Sequence, residues 1–419
     1  MLFRPTLIVA LLLALAASHQ VAAAQVEPGE SYVADQPDRI DSGFILYPAP
    51  LSSRTAGFAA GIGYEIRNFP FPRAEIRALA VPGQHLGRYA LGLSVGNAYT
   101  DALSAWTGVY YEATGRQWYY GMNTTSSKDN EIAVEKTMVE IEGRVAIRPL
   151  DKYLLVQPVV SYIRHDVGGY EVMSDGALER MDDLSRRFFL QSVGEAPVSR
   201  DGSATSVQEG ISFGIAGGLD FRDNPIRPRR GAHFQGSARR YLFRGDPGVE
   251  FDLLEGYAYF YVPVRDNTLA LRTVAMVTES NSDALIPFYL HPTLDDRLLP
   301  GYSRYRFYAN DLLAITAEYS MPMFVVPQFA ALDAVVSVGA GNTYLDLFRH
   351  FKPAITFDRD IEGDPRYPLR PSAALGLNLT GYDAGGWSAR VLLGWGTEGM
   401  RLVRFAFVHD VRRVPLWNR

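Results

Sequence analysis

Alternation of apolar and polar residues is the sequence feature that most constrains how this chain can fold. From Ile211 to Arg222, one face carries large apolar side chains and the other carries small or charged ones. The apolar residues are Ile211, Phe213, Ile215, Leu219 and Phe221, opposite Ser212, Gly214, Ala216, Gly218, Asp220 and Arg222. A period of two is typical of a β-strand with two unlike sides. The pattern recurs in residues 137–148 and, with a mixed second face, in residues 387–395.

Alternation alone fits two architectures. In a soluble sandwich the apolar faces meet in a core, whereas in a membrane barrel they meet lipid. The alternating runs of about 9–14 residues exceed the usual strand length and match the tilted length that crosses a bilayer. The chain also has 24 Tyr, 22 Phe, 5 Trp and 38 Gly beside a charged fraction of only 21%. Aromatic residues lie toward strand ends, as interfacial girdles require. We therefore favour the barrel.

The runs can be counted and oriented. Fifteen alternating segments lie between residues 57 and 411, and the stretch Gly43–Tyr47 supplies a sixteenth, which gives the even number that bacterial barrels require. With the amino terminus in the periplasm, the long connections 114–133, 166–207, 281–308 and 342–369 all fall outside the cell. The prediction is an all-β fold, a closed antiparallel transmembrane β-barrel of sixteen strands over residues 43–419, with long extracellular loops.

The amino-terminal residues predict export. Residues 1–24 combine one basic residue, an apolar stretch and a small-residue exit, which is typical of a secretory signal peptide cleaved before Gln25. Residues 25–42 are short and polar, and we interpret them as a periplasmic linker. No later segment has about 18 uninterrupted apolar residues, and the chain contains no cysteine. We expect a location in the outer membrane of a Gram-negative bacterium.

Several function classes lack support in the sequence. A net charge of −5 gives no reason to expect nucleic acid as a partner. The histidines are scattered, and His165–Asp166 and His409–Asp410 are sequence neighbours on strands, so their side chains point to opposite faces. Catalysis would need such groups within hydrogen-bond reach. No histidine or carboxylate cluster has metal-ligand spacing. We therefore expect no enzyme activity, cofactor or metal.

Two stretches resemble the BamA/TamA superfamily of outer-membrane barrels. "LDFRDNPIRPRRG", residues 219–231, is similar to the periplasmic turn of that family. Residues 287–323 resemble its sixth extracellular loop and the strand that follows. The turn motif comprises Asp220, Arg222, Asp223, Asn224, Pro225 and Gly231, and the loop motif comprises Leu299, Gly301, Tyr302 and Phe307. The loop departs from the family pattern where Asp295 and Asp296 replace two glycines and Pro300 replaces the loop arginine.

The resemblance implies roles for particular residues. In the family the sixth loop folds into the lumen, and its arginine pairs with acidic residues of the barrel wall. With Pro300 in that place, we expect Arg304 or Arg306 to take over, with Glu318 or Asp333 as partner; the alternative is a plain surface arginine in a long loop. For the turn, a role in handling clients competes with simple stability, in which Asp223 and Asn224 cap exposed backbone donors.

Two functions remain open at this level. The resemblance implies a barrel-only branch without POTRA domains, acting in outer-membrane biogenesis through protein insertion, translocation or envelope lipid homeostasis. Its partners would be outer-membrane lipid, client outer-membrane proteins or lipids, and possible further copies of the chain. Insertion would use opening between the first and last strands. The alternative is a passive pore for small solutes, with a lumen lined by Glu140, Glu142, Arg144, Arg148, Asp220, Arg222, Glu318, Arg390 and Arg404.

Overall fold

The computed structural model describes most of the chain from residue 41 onward. The described residues are 41–47, 61–70, 74–83, 86–96, 103–122, 126–150, 153–193, 206–224, 227–245, 248–282, 284–296, 298–326, 330–357, 367–381 and 387–409. The predicted signal peptide, nearly all of the predicted linker, and Pro225 lie outside these residues.

Antiparallel strands dominate the described part of the chain. The long strands are β1 Asp41–Tyr47, β2 Gly61–Arg67, β3 Ala74–Val81, β4 Leu86–Gly96, β5 Leu103–Tyr119, β6 Ile132–Ile147, β7 Leu154–Val172, β8 Ser206–Asp220, β9 Gly231–Arg244, β10 Val249–Val264, β11 Asn267–Ser280, β14 Asp311–Val326, β15 Ala330–Tyr344, β17 Tyr367–Gly381, β18 Trp387–Gly396 and β19 Gly399–His409. Three short strands are β12 Thr293–Leu294, β13 Phe307–Tyr308 and β16 Phe351–Ile355.

The sheet follows the order of the chain. Each long strand pairs antiparallel with the next one, from β1–β2 through β11–β14, β14–β15 and β15–β17 to β18–β19. β12 pairs only with β13, and β16 adds in parallel to β17. Since neighbouring strands run in opposite directions, the connections alternate between two ends. The long-loop end carries residues 173–193 and the described part of residues 281–310, and the short-turn end carries residues 221–224, 227–230 and 265–266.

Burial is inverted relative to a soluble β-protein. On β8, Ile211 and Ile215 are 47% and 51% exposed, whereas Ser212 between them is fully buried. On β6, Ile141 is 46% exposed, and the neighbouring Glu142 is 1% exposed. A sandwich would bury the apolar side of each strand. The alternation found in the sequence therefore places polar side chains in the interior and apolar ones outside, and the sandwich interpretation does not fit.

Strands β5, β6 and β7 extend further toward the long-loop end than their sequence pattern predicts. The prediction ended β5 near residue 113 and β7 near residue 165, but they reach Tyr119 and Val172. Apolar and polar residues do not alternate in these extensions, because loop and helix segments pack against both faces of the strands there. Tyr119, Val134 and Val167 belong to a buried cluster with the connection that follows β7. A period of two cannot reveal a strand that is buried on both sides.

No helices were predicted from the sequence. The longest helix of the described residues packs at the long-loop end of the sheet. The helices are α1 Ala177–Arg180, α2 Asp183–Val193 and α3 Leu347–His350. At the start of α2 the carboxylate of Asp182 accepts from the Ser185 amide at 3.0 Å, which satisfies a backbone donor that lacks a partner within the helix. Phe189 of α2 stacks on Tyr119 with ring centroids 5.2 Å apart. None of the helices in the described residues has the length and hydropathy to cross a membrane.

Candidate functional site

The connection from β11 to β14, residues 281–310, folds onto the polar face of the sheet. We call it the inner loop. Leu299, Tyr302 and Phe307 are at most 1% exposed and form one cluster with Val274 of β11 and Leu312 of β14. The backbone carbonyl of Leu298 accepts from the Thr316 hydroxyl at 3.3 Å. The loop motif predicted from the sequence is thus buried in the interior of the sheet.

Gly301 lies where the backbone of the inner loop closely approaches the sheet wall. Its amide donates to the hydroxyl of Ser372 on β17 at 3.0 Å. A Cβ at this position would lie 2.0 Å from the carbonyl oxygen of Trp395 on β18, so no larger residue fits without moving backbone. The next residue, Tyr302, donates from its hydroxyl to the carbonyl of Pro371 at 2.8 Å. Gly301 is therefore required by close backbone packing.

Arg306 joins the inner loop to two other connections. Its Nε donates to the carboxylate of Glu398, in the turn between β18 and β19, and both side chains are about 5% exposed. Its Nη1 and Nη2 donate to the hydroxyl and carbonyl of Ser126, in the connection from β5 to β6. Lys128 of that connection also lies 3.3 Å from Glu398. We call Arg306, Glu398, Ser126 and Lys128 the latch.

The predicted partners of the loop arginine were wrong. Glu318 accepts from Arg390 of β18 at 2.7 and 2.9 Å, and Asp333 accepts from Arg227. Glu318 lies midway along β14 and Asp333 lies near the short-turn end of β15, whereas Arg306 lies at the long-loop end. The sequence could not reveal that Arg306 and these carboxylates lie at different levels along the strands. Those levels depend on where the inner loop packs onto the polar face of the sheet.

Arg304 has a different environment from Arg306. Its guanidinium lies over the ring of Tyr305, 5.0 Å from the centroid, and its charge acts on Glu112 of β5. Glu112 is buried and accepts from Arg88 at 2.7 Å and from the Tyr110 hydroxyl at 2.7 Å. Arg304 thus adds positive charge to an interior cluster, but the predicted pairing with Glu318 or Asp333 does not occur.

The predicted turn motif makes a dense set of local bonds. Asp220 accepts from the guanidinium of Arg222 at 2.9 and 3.0 Å. Asp223 accepts from the backbone amides of Asn224, Arg229 and Arg230, and Asn224 accepts from the amide of Arg227 at 3.0 Å. These are the backbone caps that the stability interpretation predicted.

Two further residues complete the turn. Gly231 has φ of +107°, and a Cβ there would lie 2.2 Å from the Phe221 carbonyl oxygen, so glycine is needed both for its conformation and for space. Arg227, which sequence reasoning did not single out, donates from Nε to Asp333 of β15 at 3.2 Å. This contact joins the turn to a strand far along the sheet. In the sequence, only the position of Arg227 inside the turn motif could have pointed to this role.

The interior also contains buried ion pairs away from the inner loop. Glu142 of β6 accepts from Arg144 and, at 3.2 Å, from Arg239 of β9. The side chain of Glu142 is fully buried. Such a pair needs full hydrogen bonding to offset the cost of removing charges from water. Among the described residues, no group of three histidine or acidic side chains could hold a metal ion.

Burial shifts the pKa values of titratable groups in the inner loop away from their ordinary values. Burial lowers the pKa of His291 to about 4. Its Nε2 lies 3.0 Å from the carbonyl of Ile286, and the ring of Phe188 on α2 meets it edge-on at 5.3 Å. Burial likewise raises the pKa of the neighbouring Tyr289 hydroxyl. The loop is therefore built to hold an uncharged imidazole against the helix.

The described strands form a meandering antiparallel sheet with exposed apolar faces and a loop packed on its polar face, and solved structures of BamA-type barrels share this fold. BamA from Haemophilus ducreyi lacking POTRA domains 1–3 matches with a TM-score of 0.55 and 13% identity, covering 89% of this chain and 70% of that one. CdiB from Escherichia coli matches with a TM-score of 0.51 and 11% identity, covering 88% of this chain and 61% of that one. The chain has the BamA-type barrel fold, which confirms the resemblance. No protein-family model and no curated protein sequence matches it.

Proposed function

We propose that this chain is an outer-membrane protein of a Gram-negative bacterium that inserts or translocates other envelope components. In this proposal the sixteen long strands close into a transmembrane barrel, with the long-loop end outside the cell. The protein would act on client outer-membrane proteins or lipids, and the proposal includes no catalytic step. The fold shared with BamA and CdiB barrels supports the setting, and the geometry of the latch supports the role.

The outward face of β7 has the dimensions of a membrane crossing. An exposed aromatic pair, Tyr153 and Phe221, stacks at the short-turn end with centroids 5.9 Å apart. The first outward charge along β7 is Arg164, which pairs with Asp166. Arg164 lies eleven positions after Tyr153, which at about 3.3 Å per residue and a tilt of about 45° gives roughly 25 Å. This equals the apolar band of about 25 Å on outer-membrane barrels.

The latch is the observation that carries the proposed role. Glu398 lies at the tip of the β18–β19 hairpin, so the ion pair ties the inner loop to the last strand. Opening of a seam beside β19 would move that tip and pull on the loop through Arg306. A loop that only filled a static pore would need no link to the last hairpin. We therefore infer that loop position and seam opening are coupled.

A strain lacking the protein provides the test. We expect depletion of specific outer-membrane proteins by quantitative proteomics, or altered outer-leaflet lipids by lipidomics. Complementation with Glu398→Gln should restore the barrel but not the lost components, because the amide cannot hold both Arg306 and Lys128. The matched control is Glu279→Gln, which changes an exposed glutamate at the end of β11 and should complement fully. An unchanged envelope in the deletion strain would contradict the proposal and favour the passive pore.

A further inference from the structure

A cavity of about 170 Å³ opens on the polar face of the sheet, near the short-turn end. By the same measure a single water needs only about 10–15 Å³. It is lined by Arg227, Pro228, Arg229, Tyr259, Arg272, Glu318, Asp333, Asn378 and Arg390, among others. Four arginines face two carboxylates, so two positive charges are left over. Neither the inner loop nor the latch contributes to this wall.

The lining arginines differ in how they are neutralised. Arg390 forms a two-bond pair with Glu318, and Arg227 forms one with Asp333. Arg229, at the exposed edge, donates to the carbonyl of Asp266 at 2.6 Å. Arg272 forms no hydrogen bond with any described residue, and its Nε is shielded from solvent. The excess charge therefore resides on Arg272 and Arg229.

The position of Arg272 in the sheet explains why no carboxylate hydrogen-bonds to it, although the charge of the diagonal neighbour Glu318 also acts on it. Its direct cross-strand neighbours are Tyr259 on β10 and Thr316 on β14, and both are neutral. The guanidinium lies over the Tyr259 ring at 5.3 Å, which fixes its plane while leaving its donors available to the cavity. Arg272 is half-buried, and its guanidinium donors that no protein acceptor takes can be taken by a bound anion.

We propose that this cavity binds a phosphate group. A phosphate monoester carries close to two negative charges and matches the two excess positive charges, whereas a single carboxylate would leave one unbalanced. The planar guanidinium of Arg272 suits bidentate contact with phosphate oxygens. Asn378 lines the same wall, and its amide nitrogen donates to the Thr380 hydroxyl at 3.2 Å. The phosphate is either free inorganic phosphate or the headgroup of a monoester lipid such as phosphatidic acid.

Calorimetry on the purified full chain in a nonionic detergent tests the proposal, with inorganic phosphate as one titrant and phosphatidic acid in mixed micelles as the other. We expect Arg272→Gln to weaken binding about tenfold or more, since one charged hydrogen-bonding group is lost. Arg349→Gln, which removes an exposed arginine at the long-loop end, is the matched control and should bind like the wild type. Heat-modifiable migration on gels checks that each variant is folded.

A second variant covers the case in which Arg272→Gln does not fold. Asn378→Asp has the same shape and adds a negative charge to the wall, so it should also weaken phosphate binding. Binding of phosphate alone identifies the free ion, and binding of phosphatidic acid alone identifies a lipid headgroup. Absence of binding by either titrant at millimolar concentration, or equal binding by wild type and both variants, would overturn the proposal. The assay does not involve transport, so its outcome is separate from that of the proposed function.

Discussion

At the scale of single residues, Gly301 and His291 show how the inner loop is held. Gly301 permits backbone contact with β18, and His291 is kept neutral by burial beneath α2. Neither residue owes its role to charge in the folded state. Each one makes the loop sensitive to a small chemical change, a methyl group in one case and a proton in the other.

Substituting Gly301→Ala should release the inner loop from the wall. The added Cβ would lie 2.0 Å from the Trp395 carbonyl oxygen, so loop or strand must shift. We expect higher conductance in planar bilayers and faster proteolysis within residues 281–310. Gly143→Ala is the control, because its Cβ would meet only a Val160 methyl group at 3.8 Å. Equal conductance for wild type and Gly301→Ala would show that the loop does not close the interior.

Protection of the inner loop should fall with acidification. The folded pKa of His291, about 4, lies below its ordinary value of 6.5, so the unfolded loop binds a proton before the folded one does. The stabilisation from this residue is complete above about pH 6.5 and declines as the pH falls toward 4. Hydrogen exchange of residues 284–296 between pH 7 and pH 4.5 measures this. His291→Asn should flatten the decline, and an unchanged slope in that variant would assign the effect elsewhere.

At the scale of elements, the latch connects a loop, a hairpin and the β5–β6 connection. Replacing either Arg306 or Glu398 by Gln should cost about 3 kcal/mol, because each change removes the closest charged partner of a buried charge. The double variant should cost less than the two single costs added together. Urea unfolding in detergent micelles measures the cycle. The exposed pair Arg186–Asp183 on α2 is the control, and its cycle should give less than about 1 kcal/mol. Additive costs at the latch would mean that the two residues act independently.

Sequence predicted elements better than contacts. The alternation placed the strands, and the turn motif placed the β8–β9 connection, because both depend on local order along the chain. The latch joins residues 92 and 180 positions apart, so it depends on how the whole sheet curves. The family resemblance predicted that a loop arginine would find an acidic partner. It could not identify Glu398, since Pro300 stands where the family has its loop arginine and the arginine that pairs is Arg306.

At the scale of the whole molecule, the outward face should behave as a lipid-facing surface. Ile215→Arg places a charge on the apolar side of β8, where Ile215 is 51% exposed. In a membrane this should cost about 2–4 kcal/mol of folding stability, whereas in water it should cost little. Urea-dependent folding into lipid vesicles measures the difference. Phe348→Arg, on exposed helix α3 at the long-loop end, is the control and should be nearly neutral. A negligible cost for Ile215→Arg would contradict the membrane proposal.

At the long-loop end the described strands extend to different heights, because their lengths are unequal. In the proposed orientation, β7 continues eight residues past Arg164, roughly 20 Å above the bilayer boundary at a tilt of about 45°. β9 ends only four residues past Arg240, its own outward charge. Among the described strands, those of the β5–β7 side, with helices α1 and α2 packed beside them, therefore extend furthest beyond the outward charges. If the proposed orientation holds, this side is where an antibody or a phage approaching an intact cell would make contact with the described strands.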